Sequence, residues 1–167
     1  MRFADFNTII SFHKPARIAA ALCAALAIGA CAKAAPEFNA NAGAIPGSPE
    51  DFAQNAGDRV FFESDSSDLT SRAQETLNRQ AAWLQRYDRG PVTVEGNADE
   101  RGTREYNFAL GERRAAVTKD YLAARGIPAS RLRTVSYGKE RPVAVCNDIS
   151  CWSQNRRAET HVTGPQG

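Results

Sequence analysis

The sequence predicts an α/β (α+β) two-layer sandwich with a β-α-β-α-β core, its helices packed on one face of a mixed sheet. Three observations lead there. Short apolar-patterned segments at residues 59–63, 92–96, 133–137 and 157–162 read as strands. Two longer stretches with apolar residues every three or four positions, 71–87 and 106–125, separate the first three of them. Turn and stop signals fall at the joins, where Gly90-Pro91, and then Gly126 with Pro128, interrupt the periodicity. Strand-helix-strand alternation in a short chain closes as a sheet covered by its own helices.

In the first strand, Val60 and Phe62 share a face. The first helix carries Ala73, Leu77, Ala81 and Leu84 on one stripe and opens with Ser71 and Gln74 at capping-box spacing. The second helix aligns Leu110, Val117 and Tyr121, and Arg114 falls in the same stripe. After the third strand comes a short helix at 149–154, then the final strand. No internal repeat is visible.

The chain of 167 residues divides into three parts. In residues 1–30, Arg2, Lys14 and Arg17 precede an apolar run over 18–30, the pattern of an export signal. A run of that length falls short of the roughly 20 residues that span a bilayer. Ile28, Gly29, Ala30 and Cys31 fit a lipobox, which predicts cleavage before Cys31 and acylation of its thiol. A non-lipidated signal with an incidental cysteine is the alternative. Residues 31–56, rich in Ala, Asn, Pro and Gly, read as a flexible tether, with a tail packed on the domain as the alternative. Residues 57–165 form the predicted globular domain. Ala32 follows the cysteine, and resemblance to bacterial lipoprotein sorting then favours the outer membrane.

Charge and residue chemistry exclude several classes of function. Removing residues 1–30 takes away Arg2, Lys14, Arg17 and Asp5, so 21 basic and 19 acidic residues become 18 of each. A neutral domain is not expected to bind nucleic acid. His161 has no nucleophile partner in sequence, so neither catalysis nor a cofactor is expected. Asp65, Asp68, Glu95, Asp99 and Glu100 are acidic enough for a hard cation but lack the EF-hand pattern, and no metal is expected. Cys146 and Cys151 lack further Cys or His for a zinc site. In an oxidising compartment they are expected to pair, with two free thiols as the alternative.

A permanent cation on an apolar helical stripe needs a partner. Asp99, on the approach to the same helix, supplies the opposite charge. The two either bridge each other or stand apart as jaws for a zwitterion carrying both ammonium and carboxylate. Spacing alone does not separate Arg114 from Arg113.

Five ordered motifs carry a resemblance: VTVEGNADERGT (92–103), YN (Tyr106, Asn107), LGERRA (110–115), VSYGKERP (135–142) and NRRAE (155–159). Over roughly residues 60–162 the chain resembles the OmpA-like peptidoglycan-binding domain, in particular its Tol-Pal branch in Gram-negative envelopes. The resemblance selects Arg114 and implies that Asp99 and Arg114 hold the diaminopimelate of a peptidoglycan stem peptide. It places Asp65, and Asn155 and Arg157 of the NRR stretch, beside the same pocket. Thr103, Asn107 and Leu110 are weaker lining candidates. It also implies a non-catalytic anchor, in contact with outer-membrane lipid through Cys31, with TolB and TolA as partners. Family members often carry histidine where this chain has Asn97, which still offers a donor and an acceptor. They often carry an aromatic where it has Ser64. The second departure removes an apolar wall and predicts a weaker grip on the ligand's aliphatic stem.

Overall fold

The computed structural model describes residues 44–87 and 90–163. The predicted signal, Cys31 and the first part of the predicted tether lie outside the described residues.

The end of that tether is folded, which corrects the expected domain boundary at residue 57. The Asp51 amide donates to the Ser48 hydroxyl, and Pro49–Asp51 (α1) forms a helical turn that widens into a π-helical turn over Phe52–Ala56. Phe52 and Ala56 are buried in the core. The Phe52 ring meets Trp83 edge-on at 4.9 Å, and Trp83 Nε1 donates to Asp51 Oδ2 at 2.7 Å. The sequence carried this signal: Ser-Pro-Glu-Asp supplies an N-cap, a proline at the first helical position and an acidic first turn.

The remaining elements are β1 (Arg59–Phe61), α2 (Ser71–Arg86), β2 (Val92–Asn97), α3 (Arg104–Ala124), a 3-10 turn at Ala129–Arg131, β3 (Leu132–Gly138), α4 (Ile149–Asn155) and β4 (Arg157–Val162). The mixed sheet runs β1-β4-β2-β3, with the last strand inserted between β1 and β2 and antiparallel to both. Strands β2 and β3 are parallel and joined through α3. Two caps differ from expectation by position or role. Thr70, not Ser71, caps α2 by accepting from the Ala73 amide at 3.2 Å. Thr103 caps α3, accepting from the Tyr106 amide at 3.2 Å.

Strand alternation sorts the sheet into a covered and an open face. Val60, Val92, Val94, Leu132 and Ala158 join Leu77, Leu84 and Leu122 in the core under the helices. Thr160 on the same face donates its hydroxyl to Gln80 Oε1 of α2 at 2.9 Å. Burying each large aliphatic side chain contributes about 1.5–3 kcal/mol relative to exposure.

Helix α3 buries a wetter stripe than expected: Asn107, Leu110, Gly111, Arg114, Ala115, Thr118 and Leu122, while Val117 and Tyr121 are half-buried. It lies directly on β2, because a Cβ at Gly96 would stand 1.8 Å from the Gly111 carbonyl oxygen. Only glycine permits that approach, which lowers the middle of α3 onto the end of β2. Among the described residues no helix is long and apolar enough to cross a membrane.

Candidate functional site

The end of β2, the start of α3 and the loop after β1 converge on Arg114, which is fully buried. Its Nε donates to the Ser66 carbonyl at 2.9 Å, Nη1 to the Asn97 carbonyl at 2.9 Å and Nη2 to the Glu63 carbonyl at 3.1 Å. The guanidinium also lies 5.2 Å from the Phe62 ring centroid. Burial pushes its pKa down to about 10 against the opposing pull of Asp99 and Asp65, so it remains a cation at neutral pH.

Arg114 therefore clasps the 63–66 turn onto the strand. Asp65, inside that turn, has φ 56°. Left-handed backbone is strained for a residue with a side chain, though Asp tolerates it better than most. Two of the carbonyls that Arg114 holds, Glu63 and Ser66, flank this residue and keep it there.

Asp99 and Arg114 do not bridge each other. Asp99 Oδ2 accepts from Arg101 Nη2 at 2.7 Å and from Arg156 Nη1 at 3.3 Å, while Oδ1 accepts from Arg101 Nε at 3.1 Å and the Arg101 amide at 3.2 Å. Burial alone raises the Asp99 pKa. The Arg101 hydrogen bonds and charge, with Arg156, outweigh burial and leave it below the usual carboxylate value.

Above this pair opens a cavity of about 270 Å³ lined by Ser64, Asp65, Asp99, Arg101, Gly102, Tyr106, Asn107 and Leu110. Four of the sequence-predicted site residues, Asp65, Asp99, Asn107 and Leu110, thus meet at one opening. Asn107 is fixed there by donating Nδ2 to the Arg101 carbonyl at 2.6 Å and the Thr103 carbonyl at 3.0 Å. Thr103 is placed by its capping role and does not line the cavity.

Other expected site residues fall elsewhere. Arg114 does not line the cavity, and three of its N–H groups go to carbonyls beneath it. Asn155 and Arg157 lie away from it. Asn155 Oδ1 accepts from the Val143 and Ala144 amides at 2.9 and 3.1 Å and its Nδ2 donates to the Ala144 carbonyl, so it ties down the preceding loop. Arg157 points to the open face, where Nε donates to Glu159. The arginine of the NRR stretch that turns to Asp99 is Arg156, whose Nε also donates to the Phe62 carbonyl at 3.0 Å. Parity was a usable signal: Arg156 has the register of the inward residues Ala158 and Thr160.

Arg101 was missed because an arginine beside an aspartate in a loop has no period. It is 44% exposed, its guanidinium stacks over Trp152 at 4.2 Å, and its Nη2 donates to Ser64 Oγ at 2.8 Å. Ser64 thus supplies a polar tie to Arg101. Trp152 in turn donates to Glu100 Oε1 at 2.6 Å. The adjoining loop is closed by a Cys146–Cys151 disulfide with Cα atoms 5.7 Å apart. Asn97 is buried, and neither its side-chain nitrogen nor its oxygen has a hydrogen-bond partner among the described residues. Among the described residues, no group of three His, Cys, Asp or Glu ligand atoms gathers at the cavity.

The cavity thus presents one carboxylate and one partly exposed guanidinium side by side, the two charges complementary to a zwitterion's ammonium and carboxylate.

The OmpA family model matches residues 61–156. A peptidoglycan-associated lipoprotein of Agrobacterium fabrum is 58% identical over 158 residues, covering 91% of this chain and 89% of that protein. The crystal structure of the peptidoglycan-associated lipoprotein from Burkholderia pseudomallei superposes with a TM-score of 0.62 at 36% identity, covering 67% of this chain and 97% of the other. The C-terminal domain of Helicobacter pylori MotB shares the fold, with a TM-score of 0.60 at 23% identity over 65% of this chain and 85% of that one.

Proposed function

Because this chain belongs to the OmpA family, among the peptidoglycan-associated lipoproteins, we propose that it is a non-catalytic outer-membrane lipoprotein that grips peptidoglycan non-covalently. The ligand is the diaminopimelate of the stem peptide. Asp99 accepts its ammonium, Arg101 takes its carboxylate, and Asp65, Asn107 and Leu110 shape the cavity. Arg114 acts from below, holding the turn that presents Asp65. The observation that carries this reading is the partly exposed Asp99–Arg101 pair at the cavity rim, which a zwitterion can open without stranding a charge.

Lipid on Cys31 anchors the protein in the outer membrane, and the segment after it spans toward the wall. Individually weak sites gain from many tethered copies facing one polymer. In keeping with its Tol-Pal resemblance, the protein works with TolB and TolA and supports envelope integrity and constriction at cell division. The alternative is a general wall-binding lipoprotein not coupled to the Tol proteins.

Cosedimentation with purified sacculi tests the site. The unmodified protein pellets, and Arg101→Ala and Asp99→Ala stay in the supernatant while still melting cooperatively. Undiminished pelleting of both variants would remove the site. Capture of TolB by the purified chain separates the Tol-coupled reading from the alternative, which predicts wall binding without capture.

A further inference from the structure

The open face of the sheet carries a second cluster that the wall-binding reading does not use. Glu95 of β2 and Glu159 of β4 are direct cross-strand partners, and His161 lies two residues beyond Glu159 on the same face. Like charges placed directly opposite each other on a sheet are destabilising unless a cation stands between them. The histidine converges on both carboxylates: its Nε2 lies 3.3 Å from Glu95 Oε2 and 3.5 Å from Glu159 Oε2. The three ligand atoms all lie within 4.8 Å of one another.

We propose that Glu95, Glu159 and His161 form a binding site for a divalent transition-metal cation, with zinc as the probe. Three features support it. Ligands about 2.0–2.1 Å from a tetrahedral zinc stand about 3.3–3.4 Å apart, close to the separations between the imidazole nitrogen and each carboxylate oxygen. One imidazole and two carboxylates are a donor set that suits such ions better than calcium or magnesium, which favour all-oxygen shells. One of the carboxylates, that of Glu159, is also oriented from behind. Arg157 holds Oε1 of Glu159, is itself fixed to the Asn155 and Arg141 carbonyls, and leaves Oε2 turned toward His161.

The competing charge on Glu95 is Arg141, 3.7 Å from its Oε2, while Glu159 also faces Arg157 and its β1 cross-strand partner Arg59. The Arg141 contact is too long for a hydrogen bond, and that arginine is half-exposed and stacked on Tyr137, so it can yield to an incoming ion. His161 is 51% exposed, which leaves the remaining coordination positions to water. Chain spacing had pointed to no metal because these ligands come together across strands.

The test is calorimetric titration of the untagged full chain in detergent with zinc chloride, alongside its melting temperature with and without zinc. The unmodified chain binds one zinc at this site and melts higher in its presence. His161→Ala and Glu159→Gln melt cooperatively without zinc, bind it at least about tenfold more weakly and lose most of the shift. No zinc-dependent heat or melting shift in the unmodified chain at millimolar zinc would overturn the proposal. So would His161→Ala binding zinc as tightly as the unmodified chain, which would place the ion elsewhere.

Discussion

Glu95 and Asp99 stand four positions apart on the same stretch of chain, yet they belong to two differently built charge clusters. Beneath Asp99 two arginines are enclosed, while its partner Arg101 reaches solvent: Arg114 is wholly buried and spends its donors on backbone carbonyls, and Arg156 divides its own between Asp99 and the Phe62 carbonyl. Around Glu95 the partners are side chains at the edge of solvent, with His161 and Arg141 both about half-exposed. The difference shows what a buried arginine is for. With its N–H groups turned to the Glu63, Ser66 and Asn97 carbonyls, Arg114 ties the 63–66 turn to the end of β2 much as a sheet ladder ties a strand. The open-face charges hold no backbone in place and remain available to other ions.

Removing a clasp and removing a surface charge should therefore differ sharply in cost. Arg114→Ala removes a donor from each of three carbonyls and empties a fully buried side-chain site, and is expected to lower unfolding free energy by about 3 kcal/mol. Arg141→Ala is expected to change it by less than about 0.5 kcal/mol. Equal urea midpoints for the two variants would erase the distinction. Arg101 lies between these cases, because it is partly exposed and Asp99 retains Arg156 without it. Arg101→Ala should cost about 1 kcal/mol or less while abolishing pelleting with sacculi, which separates grip from stability in one variant.

Acid should act on the enclosed cluster. The pKa of Asp99 is lowered in the folded protein, so its stabilising contribution is complete above the ordinary aspartate value of about 3.9 and is lost as pH falls through the lowered value. Urea midpoints of the unmodified protein should fall steeply below about pH 4, and Asp99→Asn should flatten that fall. A slope unchanged by the substitution would mean other carboxylates govern acid unfolding. The smallest effect is expected on the open face without metal, where His161→Ala should shift the midpoint by less than about 0.5 kcal/mol. A larger loss there would mean that the histidine holds the sheet together by itself.

Much of the architecture was legible because it depends on local periodicity. The alternation at 157–162 became β4 with the same bounds, and the three-to-four spacing at 71–87 became α2 to within a residue. The missed turn at 49–56 had its cap and proline in plain view, but its lone buried aromatic has no period to detect. At the site, motif order brought Asp65, Asp99, Asn107 and Leu110 to one cavity. It did not show that Arg114 gives three N–H groups to backbone carbonyls, or that Arg156 rather than Arg157 turns to Asp99. Both concern where a long side chain ends, and that depends on acceptors contributed by distant segments.

Periodicity and turn chemistry, both properties of neighbouring residues, were sufficient to set the strands, the helices and the buried stripe containing Arg114, and the order of five motifs carried the family resemblance. The partners of each charge were decided only when β4 entered between β1 and β2 and Gly96 let α3 settle on the sheet. That step brought Glu63 and Ser66 to Arg114, Arg156 to Asp99, and His161 to Glu95. A side-chain charge is stabilised by whatever lies within a few ångströms, and along an extended or helical chain those neighbours are mostly remote in sequence.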